Sequence, residues 1–249
     1  MEAARPATGG NMHSPYGLEL TGSCENCTLK GKGFFCSLPK ASLAALDSIR
    51  FTSGYPKGAI LFVEQEAPRG VFLLCKGRVK LSMASSEGKT VILRIVQAGE
   101  VMGLHAVVSG QAYQATAETV EPSQVNFMRR DDFLRFLSRH AEASLHAAQQ
   151  LSGSYQVACE QIRSLGLTHS ATQKLARFLL EASAGGQETR QGILLRLTMT
   201  HDEIGQMIGA SRETVTRTLS EFRHRQLVAV KGSTLLIPNK TALLGLAES

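Results

Sequence analysis

Three cysteines stand within one short glycine-bearing stretch, CENCTLKGKGFFC (24–36), and only Cys75 and Cys159 follow in the rest of the chain. Thiolates spaced C-x2-C-x8-C suit a soft metal centre, either an iron–sulfur cluster or zinc, and both want four ligands. Cys24, Cys27 and Cys36 supply three. Cys75, in the apolar run VFLLC, completes the set if the fold brings it near; taken alone it reads as a small buried hydrophobe. Thiol redox chemistry is a further reading of the same residues. An enzyme is the reading with least support. The C-x-x-C of a thiol oxidoreductase opens a helix within a βαβ unit, whereas Cys24-Glu25-Asn26-Cys27 follows a Gly- and Pro-containing arm.

A second chemistry lies in LTMTHDEIGQMIGASRETVTRTLSEFRHRQLVAVKGSTLLIP (197–238). Thr200 and Glu203 form a T-x-x-E capping box that opens a helix through Ile208. Gly209 sits where a tight turn needs left-handed backbone, and Ser211 caps a second helix running to about Arg225. The pattern predicts a helix-turn-helix, with Val215, Leu219 and Phe222 inward. LVAV-KGS-TLLIP then predicts a hairpin wing. Between positions 212 and 231 five cations (Arg212, Arg217, Arg223, Arg225, Lys231) face two acids, Glu213 and Glu221. That excess points to double-stranded DNA. Arg212 and Arg217 can each offer a bidentate fork to guanine, Glu213 can accept from cytosine, and Thr216 shares their outward face. Ser211, Ser220, Arg223, Arg225 and Lys231 are suited to phosphates.

These residues need elements to carry them. Between about Phe51 and Met128, short apolar runs alternate with turns, and Gly77, Gly88, Gly99 and Gly110 recur every eleven residues. That texture predicts a β-roll of about eight strands. A short helix is expected from Asp131, and then a long one through AEASLHAAQQLSGSYQVACEQIRSLGL. A narrow 3-4 stripe along it, including Ala148, Leu151, Tyr155, Ala158, Ile162 and Leu165, predicts a dimer seam. A homodimer would present two recognition helices to successive major grooves, so the operator should be an inverted repeat. The expected organisation is a flexible arm (1–22), a cysteine loop (23–38), a roll (39–130), two helices (131–166) and a winged helix-turn-helix (167–249). The fold class is thus α+β: a β-roll of jelly-roll type, a dimerisation helix and a DNA-binding winged helix-turn-helix domain. A net charge of +6 and a pI near 9.2 suit an anionic partner. The first residues, MEAARPATGGNMHSPYG, lack the apolar core of a secretory signal, and no apolar run reaches the roughly 18 residues a membrane span needs. The expectation is a cytoplasmic protein with no membrane partner, in reducing conditions where an odd number of cysteines is no disulfide framework.

The order of roll, long helix and winged helix-turn-helix, with the string IGQMIGASRETVTRTLSEF, resembles the CRP/FNR family of bacterial transcription regulators over roughly residues 35–245. The resemblance implies Arg212, Glu213 and Arg217 as base readers and RNA polymerase as a partner. It also implies that the N-terminal cysteines hold three ligands of a [4Fe-4S] cluster, as in the FNR-type oxygen, nitric oxide or redox sensors. The last cysteine gap here is longer than in those sensors. Their fourth cysteine falls near VEPSQVNF, where this chain has Ser123 and Asn126. A cyclic-nucleotide site would require a glutamate and an arginine near Leu104 and Tyr113-Gln114, and their absence argues against cyclic AMP. The alternative within the fold is a small-molecule effector in the roll with a zinc-bound or idle cysteine loop.

Overall fold

The computed structural model describes residues 12–13, 16–24, 27–31, 33, 35–167 and 170–248. Most of the expected flexible arm lies outside the described residues, as does the side chain of Leu165. The chain divides into two compact units, residues 1–88 with 93–156 and residues 89–92 with 157–249.

The first unit opens with the short pair β1 (Met12–His13) and β2 (Glu19–Leu20), a 3-10 turn (Phe35–Ser37) and helix α1 (Lys40–Ile49). Eight strands follow: β3 (Arg50–Tyr55), β4 (Ile60–Phe62), β5 (Gly70–Lys76), β6 (Val79–Ala84), β7 (Thr90–Val96), β8 (Val101–Met102), β9 (Thr116–Thr119) and β10 (Ser123–Arg129). They form two antiparallel four-stranded sheets, ordered β3-β10-β5-β8 and β4-β9-β6-β7, which is the expected roll. Gly77, Gly88, Gly99 and Gly110 all take positive φ at its turns. Helix α2 (Leu104–Ser109) interrupts the strands between β8 and β9, too short to show a helical period in sequence. Residues 40–49, ahead of the strand texture that begins near Phe51, form helix α1, whose Leu43 and Leu46 are buried.

Side chains alternate across the first sheet because strand residues point to opposite faces in turn. Phe72, Leu74 and Val125 face the interior of the roll with Leu61, Phe62, Val79 and Tyr113. Val71, Leu73, Cys75 and Met128 face outward, into a second core with Phe35, Leu43, Leu46, Phe133 and Ala147. That outer core receives helix α3 (Arg130–Arg139), where Asp131 and Asp132 lie in the first turn, and the first half of helix α4 (Ala141–Leu167). Gln150 fastens α4 to the edge strand, donating to the Val101 carbonyl at 2.6 Å and accepting from its N–H at 3.3 Å.

The second unit contains α5 (Ala171–Ser183), β11 (Gln187–Thr189), β12 (Gly192–Arg196), α6 (His201–Ile208), α7 (Arg212–His224), β13 (Ala229–Lys231), β14 (Thr234–Ile237) and α8 (Lys240–Glu248). Its sheet order is β11-β12-β14-β13, so the wing hairpin is one half of a four-stranded sheet. The polar segment GGQETRQG (185–192) contains β11 and the turn into β12. All three residues of β11 are exposed, so no apolar alternation marked it as a strand.

The cysteine loop is tied to the unit's helices by Phe35, whose ring lies 5.6 Å from that of Phe133, both fully buried. Phe133→Ala is expected to destabilise the first unit by about 3–5 kcal/mol. Urea unfolding of the variant checks this; a loss below about 1 kcal/mol would mean that the contact is not part of the core.

Candidate functional site

In the second unit, both reciprocal bonds of the Thr200–Glu203 capping box are present and start α6. The helix stops at Gly209 in left-handed backbone, and a Cβ at Gly205 would lie 2.5 Å from the Ala210 carbonyl oxygen. Only glycine at 205 therefore lets the turn close on α6. Ser211 then caps α7 by accepting the Thr214 N–H at 3.2 Å. Ile204, Ile208, Val215, Leu219 and Phe222 are buried between the helices and α5. Thr218, not assigned an inward place from sequence, is buried with them.

The opposite face of α7 is exposed throughout: Arg212, Glu213, Thr216, Arg217, Ser220 and Arg223. Among the described residues, Arg212, Arg217 and Arg223 make no ion pair, whereas Arg225 stands 3.6 Å from Glu221 and is partly neutralised. The Glu213 carboxyl is held below its usual range by its own backbone N–H and by the Ser211 hydroxyl, so it is an acceptor at neutral pH. Several of the hydroxyls expected to meet DNA are engaged within the helix. Ser211 is occupied as a cap, Ser220 donates to the Thr216 carbonyl at 3.0 Å, and Thr216 donates to the Arg212 carbonyl at 2.9 Å. Thr216 also meets His201 Nδ1 at 2.8 Å, a link between α6 and α7 that no local spacing could signal. Lys231 is exposed at the end of β13, beside the wing's turn.

In the first unit, Cys24, Cys27, Cys36 and Cys75 line one small cavity with Lys30, Phe35, Leu43, Leu46 and Leu73. None is in a disulfide. The volume is about 10 Å³, close to the space of one water. Among the described residues, no group of three His, Cys, Asp or Glu side chains is already set at a metal's distances. Local turns shape the loop, with the Lys30 N–H donating to the Cys27 carbonyl at 3.1 Å and the Gly31 N–H to the Cys36 carbonyl at 3.0 Å. Burial pushes the Cys24 thiol up to about 12, with Arg50 opposing, and the Cys36 thiol up to about 11, with Cys27 adding to the effect. Burial raises Cys75 as well, and the thiols of Cys24, Cys36 and Cys27 add to it. Without a cation, these three groups are neutral and pack as apolar side chains.

A buried arginine fastens this loop to the sheet, and neither it nor its partner was legible as part of a site. The Arg50 side chain is only 6% exposed and its Nε donates to Asp47 at 2.5 Å. Its other nitrogens donate to the Gly22 carbonyl at 2.6 Å, to Asn126 Oδ1 at 3.2 Å and to the Thr52 hydroxyl. Asp47 in turn accepts the Cys24 N–H at 3.1 Å. Burial alone would raise the Asp47 carboxyl, but the bonds from Arg50 and Cys24 outweigh it and hold it below its usual range. Asn126, near where the resemblance sets a fourth ligand, is thus occupied as an acceptor for Arg50 and Thr52, while Ser123 bonds to the Glu121 carbonyl at 2.8 Å.

On α4 the buried face is Ala143, Ala147 and Gln150. Of the expected seam, Ala148, Tyr155, Ala158 and Ile162 are exposed, Tyr155 and Ile162 each at 72%. Leu151 departs from that expectation: it is half-buried and packs against the outer core of its own unit. Leu145, outside the expected stripe, is exposed at 58%. Cys159 is exposed.

A β-roll joined to a winged helix-turn-helix with a basic outer face defines a DNA-binding regulator. A cyclic nucleotide-binding domain model matches residues 53–140, and a Crp-like helix-turn-helix domain model matches residues 173–246. The chain is 25% identical over 213 residues to the CRP-like cAMP-activated global transcriptional regulator of Mycobacterium tuberculosis, covering 85% of this chain and 94% of that one. The cAMP-activated global transcriptional regulator CRP of Pasteurella multocida is 25% identical over 184 residues, covering 74% and 88%. Among solved structures, a CooA variant from Carboxydothermus hydrogenoformans aligns at a TM-score of 0.70 with 25% identity, over 80% of this chain and 88% of that one. FixK2 from Bradyrhizobium japonicum shares the fold at a TM-score of 0.70 and 23% identity, over 80% and 97%. The chain belongs to the CRP/FNR family of transcription regulators, DNA-binding proteins and not enzymes. Among the described residues, no helix is long and apolar enough to cross a membrane.

Two outcomes are expected at these sites. Arg217→Ala should erase preference for the base it reads, at about 1–3 kcal/mol, whereas Lys231→Ala should weaken all sequences alike and flatten the salt dependence. Competition binding to operator and scrambled duplexes over a salt series separates them; an unchanged preference in Arg217→Ala would remove α7 from base reading. In metal-free protein at pH 8, iodoacetamide should modify exposed Cys159 well before Cys24 or Cys36. Because burial raises the Cys24 and Cys36 thiols, the gap should close only as pH climbs toward their values of about 12 and 11. Peptide mapping of the adducts reads the order directly.

Proposed function

We propose that the protein is a homodimeric transcription regulator that reads an inverted-repeat operator through α7 and takes its signal at the four-cysteine cavity. In that reading, Arg212, Glu213 and Arg217, with the methyl face of Thr216, meet base edges. Arg223, Arg225 and Lys231 meet phosphates, Ser211 through its cap and Ser220 from the same face. The two copies join along α4 through Ala148, Leu151, Tyr155, Ala158, Ile162 and Leu165, of which Ala148, Tyr155, Ala158 and Ile162 are exposed. A large exposed aromatic and aliphatic pair on one helix supports such a seam, because burying them against a second copy removes apolar surface from water. RNA polymerase is the partner that converts DNA occupancy into transcription.

The observation that carries the sensory reading is that four free cysteines, from a loop and from β5, line one cavity. An all-thiol donor set fits an iron–sulfur cluster or zinc, with Cys24, Cys27, Cys36 and Cys75 as the ligands. A cluster held there supplies a centre that oxygen, nitric oxide or a change of redox state dismantles. The chain's own part is positional. Arg50 and Asp47 hold the loop beside Cys75, and Arg50 favours the Cys24 thiolate. Phe35 links the loop to Phe133 of α3, which shares a core with Ala143 and Ala147 of α4. A shift of the loop therefore reaches the helix that carries the seam. Zinc is the second reading, favoured by a cavity with room for about one small guest.

The similar regulators of M. tuberculosis and P. multocida are cAMP-activated, and the same control is the competing reading here. Two features argue against it. Leu104 and Tyr113 stand where a glutamate and an arginine are needed. Tyr113 is also 1% exposed, stacked on Phe62 at 4.2 Å and bonded through its hydroxyl to the Gly70 carbonyl at 2.7 Å.

Anaerobic purification with iron, sulfide and zinc analysis tests the sensory reading. About four iron and four sulfide per chain, lost in air, is the expected result, and one zinc selects the second reading. Cys75→Ser should sharply reduce the bound metal in either case; full loading of that variant would remove Cys75 from the ligand set. A metal-free wild-type protein would overturn the sensory proposal and leave DNA binding untouched.

A further inference from the structure

The roll has a cavity of about 640 Å³ that none of the residues discussed above as DNA, thiol or cyclic-nucleotide positions lines. It opens between the two sheets, where Tyr55 of β3, Phe72 of β5 and Phe127 of β10 form an aromatic wall beside Leu61 and Pro68. The rings of Phe72 and Phe127 stand 5.0 Å apart and tilted by 49°. Arg69, Arg129 and Arg130 line the same cavity.

The cations there are poorly compensated. Among the described residues, Arg129 makes no ion pair, and its guanidinium lies 5.4 Å over the exposed ring of Phe51. Arg69 reaches Glu66 only at 4.0 Å, with both side chains at least half exposed. The Nε of Arg130 is buried with no hydrogen-bond partner among the described residues, while its Nη1 stands 3.8 Å from Asp131, a side chain 80% exposed. A buried donor without an acceptor is costly, and a ligand oxygen would relieve it.

We infer that this mouth of the roll binds a planar aromatic monocarboxylate. The volume lies within the range of small-molecule sites, whose walls are mostly apolar with a few placed polar groups. A flat ring system packs against Tyr55 and Phe127, with buried Phe72 behind them, while its carboxylate accepts from Arg130 and Arg129. Asp131 at the rim offsets part of the positive charge, which favours one negative charge over two. The site uses neither Leu104, Tyr113 nor Gln114, so it is separate from the nucleotide positions of the roll. It also stands whether or not the thiol cavity holds metal.

The test is calorimetric titration of the full-length protein with 2-naphthoate, beside the neutral 2-naphthalenemethanol and inorganic phosphate. Saturable binding of one naphthoate per chain is expected, with the alcohol about tenfold weaker or worse for want of the charged bonds. Phosphate should not compete. Arg130→Gln and Arg129→Gln should each weaken naphthoate by about tenfold. Arg69→Gln, at an exposed position that folding does not depend on, serves if the other two change the melting curve, and should weaken binding in the same direction. Absence of saturable heat would overturn the inference, as would equal binding of the alcohol, competition by phosphate, or unchanged affinity in a natively melting arginine variant. Metal analysis of the same preparation keeps this result separate from that of the thiol cavity.

Discussion

The constraint on which the first unit depends is that one sheet, β3-β10-β5-β8, is covered on both faces. Successive side chains of β5 alternate between two cores that share no residue: Phe72 and Leu74 go inside the roll, and Val71, Leu73 and Cys75 go outside it. A slip of one residue in the β5–β10 pairing would exchange the two sets and move Cys75 into the roll, away from the other three cysteines. The pairing Phe127↔Phe72 and Asn126↔Leu73 therefore positions the thiol cavity as much as the cysteine loop does. An irregularity in that ladder between Gln124 and Val125 falls beside Cys75.

Around that sheet, a single buried cation organises the polar contacts of the loop. Arg50 donates to a helix carboxylate, a backbone carbonyl and two polar side chains, using groups that come from α1, Gly22 just before the cysteine loop, β3 and β10. Removing water from a guanidinium is costly, and only partners on every side make it tolerable. Its position also decides the fate of Asn126. A residue that resemblance sets close to a cluster ligand is here an acceptor within this network, and a thiol on the neighbouring strand faces the cavity instead.

The second unit solves a different electrostatic problem. Side-chain caps start α6 and α7 and a left-handed glycine ends α6, so part of the backbone at these ends finds its partners within the chain. The cations of α7 have no such local satisfaction. Arg212, Arg217 and Arg223 extend to solvent from a helix whose other face is fully packed, which is the arrangement that favours an external polyanion.

Much of this was legible in local sequence. The capping box, the turn glycine, the basic face of α7, the evenly spaced turns of the roll and the extent of α4 are all short-range patterns, decided by neighbours within a few residues. What remained hidden was decided at long range or by very short elements. Helix α2 has six residues and β11 three, too few to show a period. The bond from His201 to Thr216, the division of α4 between a packed face and an exposed stripe, and the bond from the Cys24 N–H to Asp47 each depend on positions whose spacing carries no signal. The sequence by itself determined the longer and capped elements and the residue types they carry, because helix caps, turns and periodicity are local. Only the tertiary structure decided that Cys75 meets the loop and Asn126 does not, because the facing of a strand residue is set by the packing of both sides of its sheet.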